Sequence, residues 1–386
     1  MTSPDSNTST DPRKPGQLVV AMSGGVDSTV TAWMLQREGR ELVGLFMRNG
    51  VNVDEAETTK KACCSVSDAR DARMVAAKLG IPFHAVDLKR EFRVIIDYFL
   101  KEYARGRTPN PCAVCNRDLK LDALMRFADE LGADGVATGH YARIEMVDGR
   151  PHVRRGVDHT KDQSYQLFCV AEANLARTYL PLGGYRKSEV RAMAEQAGLR
   201  TAQKADSQEI CFVPSNDYRK LLAEEGVELH PGELVDTAGK RLGEHAGTEH
   251  FTIGQRRGHG IGGGTPLYVV EVHPLDGRVV LGTHAEASFD SMTVEDLNWI
   301  GFDVPPGGEF RARVQYRYHC TPALSTIHVL ADGTAHVDFD EPQLAVATGQ
   351  GGAFYEDDRL LGGGWIGAAQ RAEVIAGEAG VAGAEG

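Results

Sequence analysis

The hydrophobic pattern turns on sharply after a polar, aperiodic stretch at residues 1–15, with a short apolar run from Gln17 to Val20 that predicts a buried strand. Behind it, Val30, Trp33 and Met34 place one apolar face on a helix that should stop at Gly39, and Glu41 to Met47 reads as the next strand. The alternation continues. Ala72, Val75, Ala76 and Leu79 repeat at helical spacing before Gly80, and Phe83 to Val86 is a third strand. Phe92, Ile95, Ile96, Phe99 and Tyr103 mark another helix, broken at Gly106 and the prolines behind it. Leu121, Leu124, Ala128 and Leu131 mark one more, and Gly135 to Thr138 is a fourth strand. Strands alternating with helices in this way predict a doubly wound parallel sheet, whose ligands sit at the carboxyl ends of strands.

From about Asp217 the texture changes. Alternating apolar residues and many glycines between Gly232 and Gly364 predict β structure, with Pro305-Pro306-Gly307-Gly308 as a loop and Met292 to Trp299 as the start of a third domain. The expected division is a tail at 1–15, an α/β domain at 16–215, a small central domain at 216–285, a β-rich domain at 286–367 and a second tail, rich in Ala, Gly and Glu, at 368–386. A chain of 386 residues exceeds the size at which one core usually stops growing, which agrees with this division.

Composition removes some classes of function. No apolar stretch is long enough for a membrane span and the first residues carry no apolar signal region, so the expectation is a soluble, cytoplasmic protein without a membrane partner. Seven cysteines at irregular spacing argue for reduced thiols with catalytic or metal-binding use rather than a disulfide framework. A formal net charge of −12 gives no general attraction to nucleic acid, so an RNA partner would need local patches such as Arg154-Arg155, Arg186-Lys187 or Arg256-Arg257.

The chemistry concentrates first in Ala21-Met22-Ser23-Gly24-Gly25-Val26-Asp27-Ser28, between the first strand and the first helix. Paired glycines let successive amides turn toward one point, and the helix start adds its positive dipole end, which together make a cradle for phosphate. A Walker A loop would need a Lys followed by Ser or Thr, and the stretch has none. Met47 ends the second strand, where it fits either an adenine pocket or the core, and Gly139 follows the fourth strand, where a backbone can approach a ligand closely. Gly258-His259-Gly260-Ile261-Gly262-Gly263 has a dinucleotide-like glycine spacing but a strand behind it, and reads as a loop.

The second concentration is Asn110-Pro111-Cys112-Ala113-Val114-Cys115-Asn116-Arg117. A thiol just before a helix, with Asn116 as candidate cap and Arg117 in the first turn, should ionise readily, which makes Cys115 a candidate nucleophile. The rival is a metal: one Cys-x-x-Cys pair cannot fill a tetrahedral zinc site, but Cys112, Cys115 and the distant Cys211 could hold a 4Fe-4S iron–sulfur cluster. Cys169 and Cys320 lie among apolar or aromatic residues and read as core, and Cys63-Cys64 receive no role.

Taken together, Ser23 to Ser28, Thr108-Pro109-Asn110-Pro111 with Cys115-Asn116, Ala137-Thr138-Gly139-His140-Tyr141, Lys161-Asp162-Gln163-Ser164-Tyr165, Asp206-Ser207 with Ile210-Cys211-Phe212, and Gly254-Gln255-Arg256 resemble the tRNA-specific 2-thiouridylases, a family of PP-loop ATP pyrophosphatases. The resemblance spans Leu18 to Gly367 with every motif in order. It implies a doubly wound parallel-sheet PP-loop (adenine nucleotide alpha-hydrolase-like) α/β domain, a small β-rich central domain and a C-terminal β-barrel. It also implies ATP-dependent 2-thiolation of the wobble uridine of tRNA, with Mg²⁺ and release of AMP and pyrophosphate.

Carried over residue by residue, the resemblance assigns ATP to Ala21, Met22, Ser23, Gly24, Gly25, Val26, Asp27, Ser28, Met47 and Gly139. It assigns the target base to Asn110, Pro111 and Cys112, and tRNA contacts to His140, Lys161, Asp162, Gln163, Arg317, Tyr318 and Gln350. Cys211 would carry a persulfide and Cys115 would act as nucleophile, closing a Cys115–Cys211 disulfide. The implied partners are the tRNAs for lysine, glutamate and glutamine, and a cysteine desulfurase or sulfur-relay protein as donor. Some family members carry Asp where Cys112 stands, so a third thiol here keeps the cluster reading open. Two other readings stand beside it: a PP-loop enzyme that adenylates a small carboxylate or amide, and a tRNA-binding or thiol-redox module without ATP chemistry.

Overall fold

The computed structural model describes residues 16–49, 66–204, 210–213, 217–262 and 264–372. The first expected tail, residues 373–386 of the second, Cys63-Cys64 and Asp206-Ser207 lie outside the described residues. Residues 368–371, expected to begin the second tail, instead end the last strand, paired with residues 289–293.

The strand β1 (Gln17–Ala21) is central because it is apolar on both faces: Leu18, Val19 and Val20 are fully buried. Leu18 and Val20 join one apolar cluster and Val19 and Ala21 the other, so helices cover the sheet on both sides. The chain continues through α1 (Val26–Arg37), β2 (Glu41–Arg48), α2 (Val66–Leu79), β3 (Phe83–Asp87) and α3 (Lys89–Ala104). A helix opens as α4 (Pro111–Val114), continues in π geometry over Cys115–Ala123 and ends as α5 (Leu124–Glu130), before β4 (Gly135–Ala137). After the hairpin β5 (Ala142–Val147) and β6 (Arg150–Arg155), α6 (Glu172–Ala176), β7 (Thr178–Tyr179) and α7 (Lys187–Gln196) complete this half.

Its sheet is five-stranded and parallel, in the order β3-β2-β1-β4-β7. The order reverses between β1 and β4, so the loop after Ala21 and the loop after Ala137 flank the switch point at which such sheets bind ligands.

A short helix, α8 (Tyr218–Glu224), leads into a four-stranded sheet of β8 (Gly232–Asp236), β9 (Arg241–His245), β10 (Tyr268–His273) and β11 (Arg278–Gly282). The last part holds β12 (Ser288–Trp299), β13 (Glu309–Gln315), β14 (Ala323–Val329), β15 (Ala335–Leu344), β16 (Gly351–Glu356) and β17 (Arg359–Arg371). These run in the order β12-β15-β14-β13-β16-β17, and β17 pairs back onto β12, closing a six-stranded barrel around Met292, Val294, Ile327, Val337, Phe354 and Ile366.

Two details differ from the pattern-based expectation. The hairpin β5–β6 belongs to the α/β half by position, yet it extends the barrel sheet through the pairs Arg359–Arg154 and Leu360–Val153. The helix near Cys115 starts earlier than expected: Pro111 occupies its first turn and Asn110 caps it, its Oδ1 accepting from the Ala113 amide at 3.2 Å. Asn116 is therefore inside the helix, and its side chain has a different use.

Candidate active site

The Ser23–Ser28 turn, the candidate phosphate cradle, is built by local hydrogen bonds. Ser28 Oγ accepts from the Ser23 amide at 3.1 Å and donates to the Gly25 carbonyl at 3.2 Å, folding the turn back onto the helix start. Gly24 takes a positive φ of 73°, and a Cβ there would stand 2.3 Å from the Asp68 carbonyl oxygen. Gly25 is the N-cap of α1 and offers no side-chain cap, so the first amides of that helix remain available to an anion. Gly139 lies against the same turn: a Cβ on it would meet Asp27 and Ser28 backbone atoms at 3.0 Å.

Asp27, inside the turn, accepts hydrogen bonds from Tyr141 Oη at 2.8 Å and from Lys187 Nζ at 2.7 and 2.8 Å. Lys204 Nζ donates to the Gly24 carbonyl at 2.8 Å and to Asp68 and Asp71 at 2.6 and 2.8 Å. Neither lysine lies in a motif that marks it as a site residue. The pair Arg186-Lys187 has the form of a surface patch, but Lys187 turns inward to the loop. Met47 is half-buried at the end of β2 and packs on the larger apolar cluster.

The strand end at β4 joins this cradle to the cysteine helix. Next to Gly139, His140 places Nε2 3.1 Å from Asn116 Oδ1 and Nδ1 2.6 Å from Thr138 Oγ1. Asn116 Nδ2 donates to the Gln166 carbonyl at 3.1 Å. Because Asn116 Oδ1 only accepts, His140 carries its proton on Nε2 and takes the Thr138 hydroxyl on Nδ1. Burial, with the Lys120 charge adding to it, pushes the imidazole down to about 3, so it is neutral at ordinary pH. Asn116 follows Cys115 directly, so two consecutive residues, Gly139 and His140, touch the phosphate loop and the thiol helix respectively.

Cys115 is buried at the start of the π segment, and Cys112 is exposed one turn earlier. π geometry within a helix often marks a functional position, because it displaces side chains from the regular face. Arg117 is committed elsewhere, bonding both oxygens of Asp118 at 2.6 and 2.9 Å with its guanidinium 6.0 Å from the Trp365 ring. Its charge is thereby largely balanced. Cys211 is half-buried and packs on the apolar cluster that contains Cys115. The neighbouring Phe212 anchors it edge-on against Phe92 and Phe99 of α3, at 5.7 and 5.2 Å between ring centres. Cys169 is core, as expected, donating to the Ala113 carbonyl at 3.5 Å with burial pushing its thiol up to about 12. Cys320 is half-buried and donates to the Arg317 carbonyl at 3.2 Å.

The sequence of the whole chain decides the family. The family model described as "tRNA methyl transferase HUP domain" matches residues 16–215, "tRNA methyl transferase PRC-barrel domain" residues 219–283, and "Aminomethyltransferase beta-barrel domain" residues 289–366. A relative from Geobacter metallireducens named tRNA-specific 2-thiouridylase MnmA is 48% identical over 92% of this chain and 97% of its own length. The one from Carboxydothermus hydrogenoformans, with the same name, is 46% identical over 91% of this chain and 97% of its own. The chain belongs to the MnmA family. A solved 4-thiouridine synthetase–RNA complex with bound ATP covers 54% of this chain and 50% of its own at 18% identity and a TM-score of 0.32, a likeness too slight to bear on function.

The positions that the MnmA resemblance assigned to RNA fall into two groups. His140, Asp162, Gln163 and Gln350 all hold the protein's own frame. Asp162 is buried, paired with Arg155 at 2.8 Å, and accepts from Gly156 N and Ser164 N. Gln163 Oε1 accepts from the Tyr141 amide at 3.0 Å. Gln350 Nε2, from the barrel, donates to the Thr108 and Pro109 carbonyls at 3.2 and 2.8 Å, and fixes the loop that leads to Asn110.

Arg317 is exposed, while Lys161 and Tyr318 are half-buried. Tyr318 packs 6.2 Å from the Tyr165 ring, and burial, with the charges of Asp162 and Cys112 beside it, raises its phenol above the ordinary range. The barrel thus meets the α/β domain through Gln350 on the loop that leads to Asn110 and through Tyr318 on Tyr165. Of the three basic pairs, Arg154 is taken up by Glu145 and Asp358 and Arg155 by Asp162 and Gln315, whereas Arg256 and Arg257 are exposed.

The buried His140 makes a testable contribution to the pH dependence of stability. Its folded value of about 3 lies below the ordinary 6.5, so between those values the unfolded chain binds the extra proton and stability falls as pH falls. The loss is up to about 1.4 kcal/mol per pH unit from this one group. Denaturant midpoints measured from pH 7 to 5 should fall more steeply for the wild-type protein than for His140→Gln; parallel slopes would show that the imidazole is not held neutral.

Proposed function

We propose that this protein forms 2-thiouridine at the wobble position of tRNA: ATP adenylates the uridine O2, and sulfur then replaces it at C2. The observation that supports this most directly is the bridge at β4, where Gly139 packs on the phosphate turn while His140 bonds the residue beside Cys115. A nucleotide-activating site and a thiol site are thus held together by two adjacent residues. An enzyme that only adenylated a small molecule would have no use for that coupling.

In the first step the uridine O2 attacks the α-phosphorus and pyrophosphate leaves to the amides of the Ser23–Ser28 turn. ATP requires Mg²⁺ as partner, and Asp27 is the carboxylate that would hold it, since magnesium commonly takes one or two carboxylates plus phosphate oxygens. The ion supplies charge neutralisation for the phosphates.

In the second step the terminal sulfur of a Cys211 persulfide attacks C2, AMP leaves with the former O2, and the base is joined to Cys211 through a disulfide. The Cys115 thiolate then attacks Cys211 Sγ and thiouridine departs with both electrons of the broken S–S bond. A Cys115–Cys211 disulfide remains, to be reduced by an external thiol before the next turnover.

The alternative iron–sulfur chemistry does not suit these residues. Among the described residues no group of three or more His, Cys, Asp or Glu is arranged to hold a metal ion, and Cys112 is exposed while Cys115 is buried. The sulfur donor is a desulfurase or relay protein that supplies persulfide sulfur, and the substrates are the tRNAs for lysine, glutamate and glutamine. In this reading Asn110, Pro111 and Cys112 receive the target base, and Arg317 and Tyr318 meet the RNA by phosphate pairing and stacking. Among the described residues no helix is long and apolar enough to cross a membrane.

Two measurements test this. AMP formation from ATP should depend on added unmodified tRNA; AMP production indifferent to tRNA would instead indicate a small-molecule substrate. Arg317→Ala should weaken tRNA binding severalfold and flatten the dependence of log affinity on log salt by about one unit, as expected for one lost phosphate contact. An unchanged salt slope would remove Arg317 from the RNA surface.

A further inference from the structure

The phosphate turn contains no lysine, yet two ammonium groups reach it from distant parts of the chain. Lys187 stands at the start of α7 and bonds both oxygens of Asp27, and its ammonium lies 5.6 Å from the ring centre of Tyr141, which donates to the same carboxylate. Lys204 bonds the carbonyl of Gly24, inside the turn itself, together with Asp68 and Asp71 of α2. Their side chains are only 12% and 18% exposed.

Lysines drawn this far from water lose hydration and rotamer freedom, and an ion pair alone is a poor return for that loss. A brace between helices could be made from apolar contacts. The charge arithmetic suggests another use. Lys187 balances Asp27, and Lys204 faces two carboxylates, so the ammoniums keep a turn surrounded by acids from repelling an anion. A nucleotide triphosphate brings several negative charges to the same point. Ammonium groups already hydrogen-bonded to Gly24 and Asp27 need only exchange a carboxylate oxygen for a phosphate oxygen to meet it.

We propose that Lys187 and Lys204 bind the β- and γ-phosphates of ATP and the pyrophosphate they become, with Asp27, Asp68 and Asp71 holding both ammoniums in place until the nucleotide arrives. This rests on the reading of the Ser23–Ser28 turn as the ATP site. It assigns to residues at positions 187 and 204 the work that a P-loop gives to a lysine within its own motif.

The test is titration of the full-length protein with ATP, AMP and inorganic pyrophosphate, for wild type, Lys187→Met, Lys204→Met and Gly24→Ala. Each lysine variant should lose about tenfold to a hundredfold in affinity for ATP and pyrophosphate, the scale of a charge-assisted hydrogen bond, with AMP affinity unchanged. Retained AMP binding also shows that the variant is folded. Where a methionine variant does not fold, Lys187→Gln or Lys204→Gln carries the same expectation. Equal losses for ATP and AMP would overturn the proposal in favour of a brace, and so would lysine variants that bind ATP and pyrophosphate as wild type does while Gly24→Ala fails. If Gly24→Ala also binds normally, or the wild-type protein binds no ATP, the reading of the turn itself fails, and the lysine assignment with it.

Discussion

Serine in place of Cys211 is expected to abolish formation of 2-thiouridine while leaving the binding of ATP and tRNA close to wild type. The substitution exchanges a sulfur for an oxygen of similar size at a half-buried position whose neighbours are fixed independently. Phe212 is wedged against Phe92 and Phe99, and the Val213 amide bonds the Ile210 carbonyl at 3.0 Å. The local fold therefore has supports besides the thiol. What is lost is chemical: a hydroxyl cannot hold a sulfane sulfur or take part in thiol–disulfide exchange. Adenylation should continue, so pyrophosphate is released while the adenylated tRNA persists or gives up AMP only to water, and no thionucleoside forms. Thiolation by Cys211→Ser at a wild-type rate would transfer the carrier role to another cysteine, with exposed Cys112 the first to examine.

Alanine in place of Gly24 is expected to reduce tRNA-dependent AMP formation by about a hundredfold, the scale that follows when reacting groups are displaced by about 1 Å. Two independent features of the position give this effect. The positive φ costs a residue with a Cβ about 1–2 kcal/mol. In addition, the new methyl would stand 2.3 Å from the Asp68 carbonyl oxygen, which is backbone and cannot swing aside. The turn must open or α2 must move, and either displaces the amides proposed to receive the phosphates. Thermal unfolding should show a modest loss of stability with cooperativity retained. Normal AMP formation by a folded Gly24→Ala protein would place nucleotide chemistry elsewhere.

The strands and helices of the α/β half were legible because each carries its own apolar period. β1 is buried on both faces, and α3 repeats Phe92, Ile95, Ile96, Phe99 and Tyr103 on one stripe. The barrel was legible as β structure, but its closure was not, since the β12–β17 pairing joins Val294 to Ile366 across most of the domain. The same non-local logic hid the hairpin β5–β6, whose sequence alternates like any two-stranded element while its barrel partner, β17, lies far along the chain. The early start of the cysteine helix did have a local signal, an Asn followed by Pro, the capping residue and first-turn residue that helices favour.

The site divides in the same way. Ser23 to Ser28 and Gly139 were readable because glycines placed between a strand and a helix turn backbone amides toward a ligand, and the structure brings both to one switch point. Lys187 and Lys204 were not readable, since a single lysine on a helix or in a loop carries no sign of which carboxylate it will meet. Conversely, Asp162, Gln163 and His140 sit in motifs that resemble RNA-contacting ones, yet their side chains are spent on internal hydrogen bonds. A motif marks that a residue type is required at a place; burial decides whether its work faces inward.

Whether one site couples adenylation to sulfur transfer on tRNA can be read from a single incubation. Purified, reduced protein is mixed with unmodified tRNA, Mg-ATP and a cysteine desulfurase with cysteine, and the tRNA is digested and its nucleosides weighed by mass spectrometry while AMP is followed by chromatography. The expected products are 2-thiouridine and AMP in step with one another, both absent when tRNA or ATP is omitted. AMP without thiouridine, with a sulfur donor shown to load Cys211, would contradict that coupling.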